Sequence, residues 1–510
     1  MKSGLLVRHE DDSPRRAQDR CFHNPRRIAV HHGTLDQRNQ FICACPKSHK
    51  SYLRTSPKVA VGKIPPDSID EIWEFGTFSV DRSPRKYQCR FFGNQEPNRQ
   101  ITMKALTLSL LLAGFTLAAD WPHWRGPTSN NHAATAAKPV TEWSTEKNVR
   151  WQTDLRGLGH STPIVVGDRI YLTTGDEKAG TQSLVTIDRK SGQILWTNII
   201  NKGGLPEGIH KENTHASQTP VWDGECVITL FHNRGKLQLT AVKPNGDISW
   251  DKVIGDYLPD RDFGYGSTPA YHKGLIYITS DYEPKGYLVA IETKTGEEKW
   301  RTDRNTMASW STPVVGHVAG KDQLLSSGQL KVTSQDPLTG KLLWEAPHIS
   351  KSTCGTVVWN KDSVFASGGY PKNQTAAYTA DGSRKLLWQN KERTYEQSML
   401  VHGNELYTVT DKGFAFCWDT KTGEEHWSQR LGRGGVMASP TFANGLIYAP
   451  IKNGQTTVFK ATPEKFEQIA QNQLGDDTYA SPVFIGDELY MRVGFRTEGI
   501  RREVLYCLGE

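Results

Sequence analysis

The sequence lacks several features that would point directly to a function. No apolar run reaches the roughly 20 residues that a membrane-spanning helix needs, and no C-x-x-C-H sequence marks a covalent haem site. Residues 1–102 hold 18 of the 62 Lys and Arg residues and 11 of the 55 Asp and Glu residues, which leaves 44 of each sign in the remainder. A phosphate-binding surface needs a basic excess on the folded part, so the balanced charge predicts no nucleic-acid partner. The absence of a long apolar run and of the haem motif predicts no membrane span and no c-type haem.

A signal-peptide pattern divides the chain at Met103. Lys104 forms a short basic region, residues 105–117 are apolar, and two alanines precede Asp120, which is the layout of a secretory signal peptide. Residues 1–102 are rich in Arg and Pro and show no sustained period of 2 or 3.6. We interpret them as an upstream mis-start, with a disordered basic leader as the alternative. Residues 103–119 are then a signal peptide that directs the protein to the periplasm or beyond.

A repeated unit fills residues 161–510. Each unit holds an apolar strand, a second strand rich in Ile and Tyr, a third strand and a tight turn. Six units open on a Thr-Pro or Ser-Pro step, at Pro163, Pro220, Pro269, Pro313, Pro440 and Pro482. Proline has no amide donor and is tolerated at the first residue of a strand. Two further units, near Gly355 and Gln397, lack the proline but keep the strand pattern.

A tryptophan recurs in the fourth strand of most units. These residues are Trp196, Trp250, Trp300, Trp344, Trp388 and Trp427. In five of the six, a glycine precedes the tryptophan by four residues, as Gly192 does before Trp196, and glycine suits a hairpin turn that needs a positive φ. We expect each tryptophan to dock its unit on the next one, because a large apolar side chain can bury a face against its neighbour.

The units and one unassigned strand predict a closed ring. Eight units begin near Thr162, Gln218, Thr268, Thr312, Gly355, Gln397, Ala438 and Ala480. The last unit ends after three strands, whereas residues 149–155, around Trp151, look like a fourth strand without a unit. Four short strands per unit fit the propeller class. We therefore predict an all-β, eight-bladed β-propeller over residues 141–510, in which residues 149–155 pair with residues 500–509 and remove an exposed edge.

The repeated motif A-x-D/E-x-x-T-G-x-x-x-W resembles the tryptophan-docking motif of pyrroloquinoline-quinone (PQQ) propellers. AIETKTGEEKW at residues 290–300 carries it, and residues 186–196 and 417–427 are close variants. The segment DWPHWRGPTSN, from Asp120 onward, resembles the start of secreted bacterial BamB-like proteins. The resemblance implies a propeller architecture. It does not by itself imply that a quinone is bound.

The resemblance leaves two classes of function open. A PQQ-dependent dehydrogenase for alcohols or sugars would carry two adjacent cysteines above the cofactor and a calcium or lanthanide site. The sequence has no Cys-Cys pair, and Cys226, Cys354, Cys417 and Cys507 stand in four different units. We interpret Cys417 and Cys507 as packing thiols, with disulfides as the alternative. The sequence thus favours a non-catalytic binding or scaffold module with no cofactor and no catalytic or metal-binding residue, and keeps the dehydrogenase as the alternative.

The expected partner is an envelope protein or a small ligand. Lipoproteins of the BamB kind have a cysteine directly after the signal peptide, where this chain has Asp120. We therefore expect a released protein without a lipid anchor, and a monomer, because a closed ring needs no second subunit.

The loop of residues 201–220 is one candidate contact region. It brings His210, Asn213 and His215 close together. Two imidazoles five residues apart could face one ligand or metal, or Asn213 and His215 could hydrogen-bond the loop onto blade 2.

The arm of residues 120–140 is the other candidate. Trp121, Trp124 and Arg125 are residue types typical of interface hot spots. The alternative is that both indoles pack on the flank of the propeller.

Overall fold

The computed structural model describes residues 120–133, 138–259, 261–283, 285–304, 307–348 and 350–510. The predicted leader and signal peptide lie outside the described residues. Thirty-two strands form eight four-stranded antiparallel sheets arranged in a ring, which confirms the predicted eight-bladed β-propeller. Nowhere in the described part of the chain is there a helix long and apolar enough to span a bilayer.

The strands follow one another along each blade, from the channel outward. In blade 1, β2–β5 are Ile164–Val166, Arg169–Asp176, Thr181–Asp188 and Ile194–Lys202. In blade 2, β6–β9 are Val221–Trp222, Val227–Asn233, Lys236–Val242 and Ile248–Asp256. In blade 3, β10–β13 are Ala270–His272, Leu275–Ser280, Gly286–Glu292 and Glu298–Arg304. In blade 4, β14–β17 are Val314–Val318, Lys321–Gly328, Lys331–Gln335 and Leu342–Pro347.

The second half of the ring repeats the arrangement. In blade 5, β18–β21 are Val358–Trp359, Ser363–Gly368, Gln374–Thr379 and Leu386–Asn390. In blade 6, β22–β25 are Leu400–His402, Glu405–Val409, Phe414–Asp419 and Glu425–Arg430. In blade 7, β26–β29 are Thr441–Ala443, Leu446–Pro450, Gln455–Lys460 and Gln468–Gln473. In blade 8, β30–β32 are Val483–Ile485, Glu488–Thr497 and Ile500–Leu508, and β1, Val149–Leu155, is the fourth strand.

The N-terminal strand closes the ring as predicted. β1 pairs antiparallel with β32, from Val149 opposite Leu508 to Leu155 opposite Glu503. Blade 8 is therefore built from both ends of the propeller sequence, and its third strand has no unpaired edge.

A ring of hydroxyl groups joins the blades around the channel. The residues before the strand-opening prolines, and their equivalents in blades 5 and 6, are Thr162, Thr219, Thr268, Thr312, Thr356, Ser398, Ser439 and Ser481. At seven of the eight junctions, the backbone N–H of one residue donates to the hydroxyl oxygen of the next, at 2.9–3.3 Å. At the remaining junction, Thr356 Oγ1 donates to Thr312 O at 3.3 Å. The first residues of neighbouring blades are thus linked all the way round.

The tryptophans lie at the outer blade junctions. The indole Nε1 of each of six donates to a carbonyl of the next blade at 2.7–3.3 Å: Trp151, Trp196, Trp250, Trp300, Trp388 and Trp427. The turn glycine explains part of this fit. Gly192, at φ +72°, lies against Trp151 so closely that a Cβ would come within 2.6 Å of the indole.

Trp344 differs from the expected direct docking. Its Nε1 donates to Gln323 Oε1 in its own blade at 2.7 Å, and Gln323 Nε2 donates to Ala380 O of blade 5 at 2.9 Å. Blade 5 is the unit whose glycine, Gly382, does not precede its own tryptophan by four residues. The altered turn of blade 5 does not accept the indole of Trp344 directly, and the side chain of Gln323 links blades 4 and 5 instead.

The N-terminal arm crosses the channel, which corrects both sequence-based placements of it. Trp121 exchanges backbone hydrogen bonds with Val165 of β2, and Ala133 N donates to Phe442 O of β26. Between them, Arg125 Nη2 donates to Met399 O beside blade 6 at 3.0 Å. Trp121 and Arg125 are fully buried, so neither is an exposed partner contact. The sequence around the arm shows no repeat, and nothing in it pointed to the channel.

Candidate functional site in the channel

The channel contains a cavity of about 680 Å³ above the arm. In each blade the chain runs from the cavity wall to the hydroxyl ring and then into the first strand. In blade 1 this strand contains Val165, which pairs with Trp121 of the arm. The Trp124 ring lines the cavity from the arm. Because the arm bridges the first strands of blades on both sides of the channel, the cavity is closed at that end.

The wall is built from one position of the repeat. In extended chain, side chains two residues apart point to the same side. The residue two positions before each ring hydroxyl therefore shares its side and lines the cavity. These eight residues are His160, Ser217, Gly266, Trp310, Cys354, Glu396, Met437 and Tyr479. The hydroxyl ring is nearly uniform, whereas no residue type occurs twice at this position. One phase of the repeat therefore holds the ring together, and another gives the cavity its chemical character.

One side of the wall is aromatic and basic. Tyr479 and His160 stack with ring centroids 4.0 Å apart and planes 8° apart. Lys452 and Arg501 lie over the Tyr479 ring, at 5.8 and 5.4 Å from its centroid. Burial, followed by the charges of Arg501, Arg492 and Lys452, lowers the pKa of His160 well below its usual value. His160 is thus a neutral stacking partner at neutral pH.

The loop of residues 203–217 crosses the cavity mouth. Glu212 reaches from this loop to blades 7 and 8, where it pairs with Lys452 and accepts a hydrogen bond from Tyr479 Oη at 2.9 Å. Asn213 Nδ2 donates to Phe263 O at 2.8 Å. The loop is therefore fastened at two points, to the connections between blades 2 and 3 and between blades 7 and 8.

The opposite side of the wall carries an acid and a thiol. Burial and then the nearby charge of Asp411 raise the pKa of Glu396 to about 7. Burial, followed by the charges of Glu396 and Asp411, raises the pKa of the Cys354 thiol well above its usual value. Trp310 and Met437 complete this side as the ring positions beyond Cys354 and Glu396.

The structure divides the residues of the two candidate regions. His210, Asn213 and Trp124 line the cavity. His215 faces elsewhere: its Nε2 lies 3.5 Å from Glu177 Oε1, and its backbone oxygen accepts a hydrogen bond from Gln182. His210 and His215 therefore do not face one ligand, and Asn213 fastens the loop to the connection after blade 2.

The sequence interpretation missed Trp310, Cys354, Glu396 and Tyr479 as one set. The signal was present in the repeat: the position two residues before each ring hydroxyl varies in every unit. The four downstream cysteines are free thiols. Cys226, Cys417 and Cys507 are buried, and Cys354 is partly exposed at the cavity.

The cavity residues do not fit a quinone held with calcium. Calcium takes six to eight oxygen ligands, yet Glu212 is paired with Lys452 and Glu283 with Lys351 at 3.1 Å. Among the residues that the structure describes, no three His, Cys, Asp or Glu side chains are grouped so that they could hold a metal ion.

Comparisons with known proteins agree with the architecture. A family model described as outer membrane protein assembly factor BamB matches residues 115–262, 261–429 and 397–465. Outer membrane protein assembly factor BamB of Burkholderia pseudomallei is 22% identical over 396 residues, which cover 65% of this chain and 93% of that protein. The crystal structure of BamB from Moraxella catarrhalis is 12% identical and has a TM-score of 0.50, covering 70% of this chain and 99% of that one. Quinohemoprotein alcohol dehydrogenase from Comamonas testosteroni is also 12% identical, with a TM-score of 0.55, covering 79% of this chain and 82% of that one. These two structures support the fold alone.

Proposed function

The chain belongs to the family of PQQ-like β-propellers represented by outer membrane protein assembly factor BamB, and from this premise we propose that it is a non-catalytic binding module of the cell envelope. The blind cavity of the channel is its ligand site. The signal-peptide pattern at residues 103–119 supports an envelope location. The function of the BamB relative supports a protein partner as well, which would meet the rim that carries the crossing loop.

The observation that carries this proposal is the closure of the channel by the arm. Ligand sites are typically concave, largely apolar, and fitted with a few polar groups that orient the ligand. This cavity has Trp124 at its closed end, Trp310 and Tyr479 in its wall, and Glu396 and Cys354 as polar groups. An open channel with one repeated wall residue would offer no such selectivity.

Thermal denaturation with a panel of small molecules tests the proposal. The panel holds amines, quaternary ammonium compounds, sugars, amino acids, and PQQ with calcium. We expect at least one compound to raise the melting temperature of the wild-type protein and not that of Gly266→Leu. A Cβ at Gly266 would meet Trp310 at an ordinary contact distance of 3.5 Å, so the longer side chain fills the cavity without disturbing the blade. The proposal fails if no compound acts or if each acts equally on both proteins.

The dehydrogenase alternative has its own test. Dye-linked oxidation of alcohols and aldoses is measured after addition of PQQ and calcium. We expect no turnover above that of the Gly266→Leu protein, because the carboxylates needed for a calcium site are single or paired with lysines. Turnover that Gly266→Leu abolishes would replace the binding module with an enzyme.

A further inference from the structure

Glu396 differs from the other carboxylates of the cavity wall. Glu212 and Glu283 are each paired with a lysine. Among the described residues, Glu396 has no ion-pair partner, and the bond that favours its charged form comes from its own backbone amide. The nearby Arg393 is paired with Asp411 at 2.5 Å. The ionised carboxylate of Glu396 is therefore available to pair with a ligand in the cavity.

The wall positions on either side of Glu396 carry uncharged, polarisable side chains. Its neighbours at the same wall position are Cys354 and Met437, and Trp310 follows Cys354. The chain segments run side by side here: Cys354 N donates to Tyr395 O at 3.3 Å, and Trp310 N donates to Thr353 O at 2.8 Å. Aromatic faces attract cations, most strongly when water is excluded. A carboxylate flanked by a thioether, a neutral thiol and aromatic rings is a suitable environment for an organic cation.

Other ligand classes fit this side of the cavity less well. An anion would meet the unpaired carboxylate of Glu396, while the lysines of the wall, Lys452 and Lys351, are already paired with Glu212 and Glu283. A divalent metal ion would need several oxygen or nitrogen ligands, and the described residues form no such cluster. A neutral ligand would gain nothing from the charge of Glu396, since this carboxyl, with a pKa of about 7, can take up a proton in its presence.

We propose that the channel cavity binds a small organic cation, of the alkylated or quaternary ammonium class, with Glu396 as its charge partner and the aromatic wall around it. This inference rests on the proposed function, since it takes the cavity as the ligand site. Glu396 neutralises the ammonium charge, and Trp310 provides a ring face, whereas Arg393 and Arg125 already lie over the rings of Tyr395 and Trp124.

Calorimetric titration with choline and neohexyl alcohol tests the inference. In neohexyl alcohol a carbon atom replaces the quaternary nitrogen, so the two probes share a shape and differ in charge. We expect choline to bind the wild-type protein at least about tenfold more tightly than the alcohol, because ion pairing and cation–π attraction both need the charge. Glu396→Gln should weaken choline binding at least about tenfold and leave the alcohol unchanged.

Glu424→Gln is the matched control, because Glu424 is an exposed turn residue of blade 6. It should bind choline as the wild-type protein does. Circular dichroism and the melting temperature check folding, and Glu396→Asp, which keeps the charge, should retain part of the affinity.

Three results would overturn the inference: no choline binding, equal affinity for both probes, or unchanged choline binding in Glu396→Gln. If the panel reveals another ligand that Gly266→Leu excludes, the proposed function stands while the organic cation is rejected. If Gly266→Leu changes no binding at all, both fail.

Discussion

Trp143 stacks on Tyr448 with ring centroids 6.1 Å apart and planes 19° apart. In blade 1, the docking Trp196 lies 6.2 Å from Tyr171, the tyrosine of the second strand. Blade 7 has Ala470 where other blades have tryptophan, and Trp143, from the segment before β1, takes the place beside the second-strand tyrosine. The segment is held by Trp143 N, which donates to Asn472 Oδ1 at 3.0 Å.

Replacing Trp143 with alanine should destabilise the propeller strongly. The side chain is only 4% exposed, and truncation of a buried tryptophan costs about 3–5 kcal/mol. Denaturant unfolding measures the free energy. Trp143→Phe should cost much less, since Trp143 Nε1 has no hydrogen-bond partner. At Trp250, whose Nε1 donates to Thr293 O, the same change to Phe should lose about 1 kcal/mol more. Equal costs for the two phenylalanine variants would contradict this account.

Thr162→Val should weaken the closure of the hydroxyl ring. Thr162 Oγ1 accepts the backbone N–H of Ser481 at 3.3 Å between blades 8 and 1. Valine keeps the shape and leaves that buried donor unsatisfied, at a cost of about 1–3 kcal/mol. Thr162→Ser keeps the oxygen and should cost less. Hydrogen exchange at the Ser481 amide should accelerate in the valine variant only; equal protection in both would show that this bond does not close the ring.

The propeller should lose stability in mild acid. Burial lowers the pKa of His123, His132, His232 and His348 to about 4, from a usual value of 6.5. Below pH 6.5 the unfolded chain takes up protons that the folded protein refuses, so stability falls as the pH drops toward 4 and is unaffected by these groups above 6.5. Each group contributes about 1.4 kcal/mol per pH unit at most. His348→Gln should reduce the slope of unfolding free energy against pH by about one proton, and an unchanged slope would disprove the role of His348.

Choline affinity should rise with pH up to about 7 and then level off. Only ionised Glu396 is a charge partner, and its pKa is about 7. Of the groups that face it, Asp411 is paired with Arg393 and Glu212 with Lys452, while burial raises the pKa of Cys354 and Tyr395, which stay neutral. Calorimetry across this pH range should show about a tenfold gain per unit below pH 7. The Glu396→Gln protein should show no such gain; a parallel rise in both proteins would assign the titration to another group.

Cys354 should report on occupancy of the cavity. It is the partly exposed thiol among the described cysteines, and its raised pKa keeps it mostly in the unreactive thiol form. Alkylation should therefore be slow at neutral pH, faster in Glu396→Gln, and slower when choline is bound. If choline does not alter the alkylation rate, choline does not bind beside Cys354.

The repeat predicted the fold because each blade buries the same faces. The blade number followed from the repeated tryptophans and proline steps. The β1–β32 closure followed from the unassigned strand around Trp151. The arm and Trp143 could not be predicted, because they belong to no repeat phase and their burial depends on surfaces that only the closed ring creates. Trp344 occupies the same repeat position as the other tryptophans but makes a different contact, since the turn that it would meet in blade 5 lacks a glycine four residues before Trp388.

The cavity could be predicted only in part. His210, Asn213 and Trp124 were selected for their residue types and do line it. Glu396 and Cys354 were overlooked because neither forms a motif along the chain. They meet because the ring places the same phase of adjacent units side by side. A comparison of units at that phase would have found them.

Native mass spectrometry of the protein purified from its own host tests the central claim most directly. We predict one bound small molecule per wild-type chain and none in Gly266→Leu purified in the same way. An adduct of the same mass on both proteins, or no adduct on the wild-type protein, would contradict the assignment of the channel cavity as the ligand site.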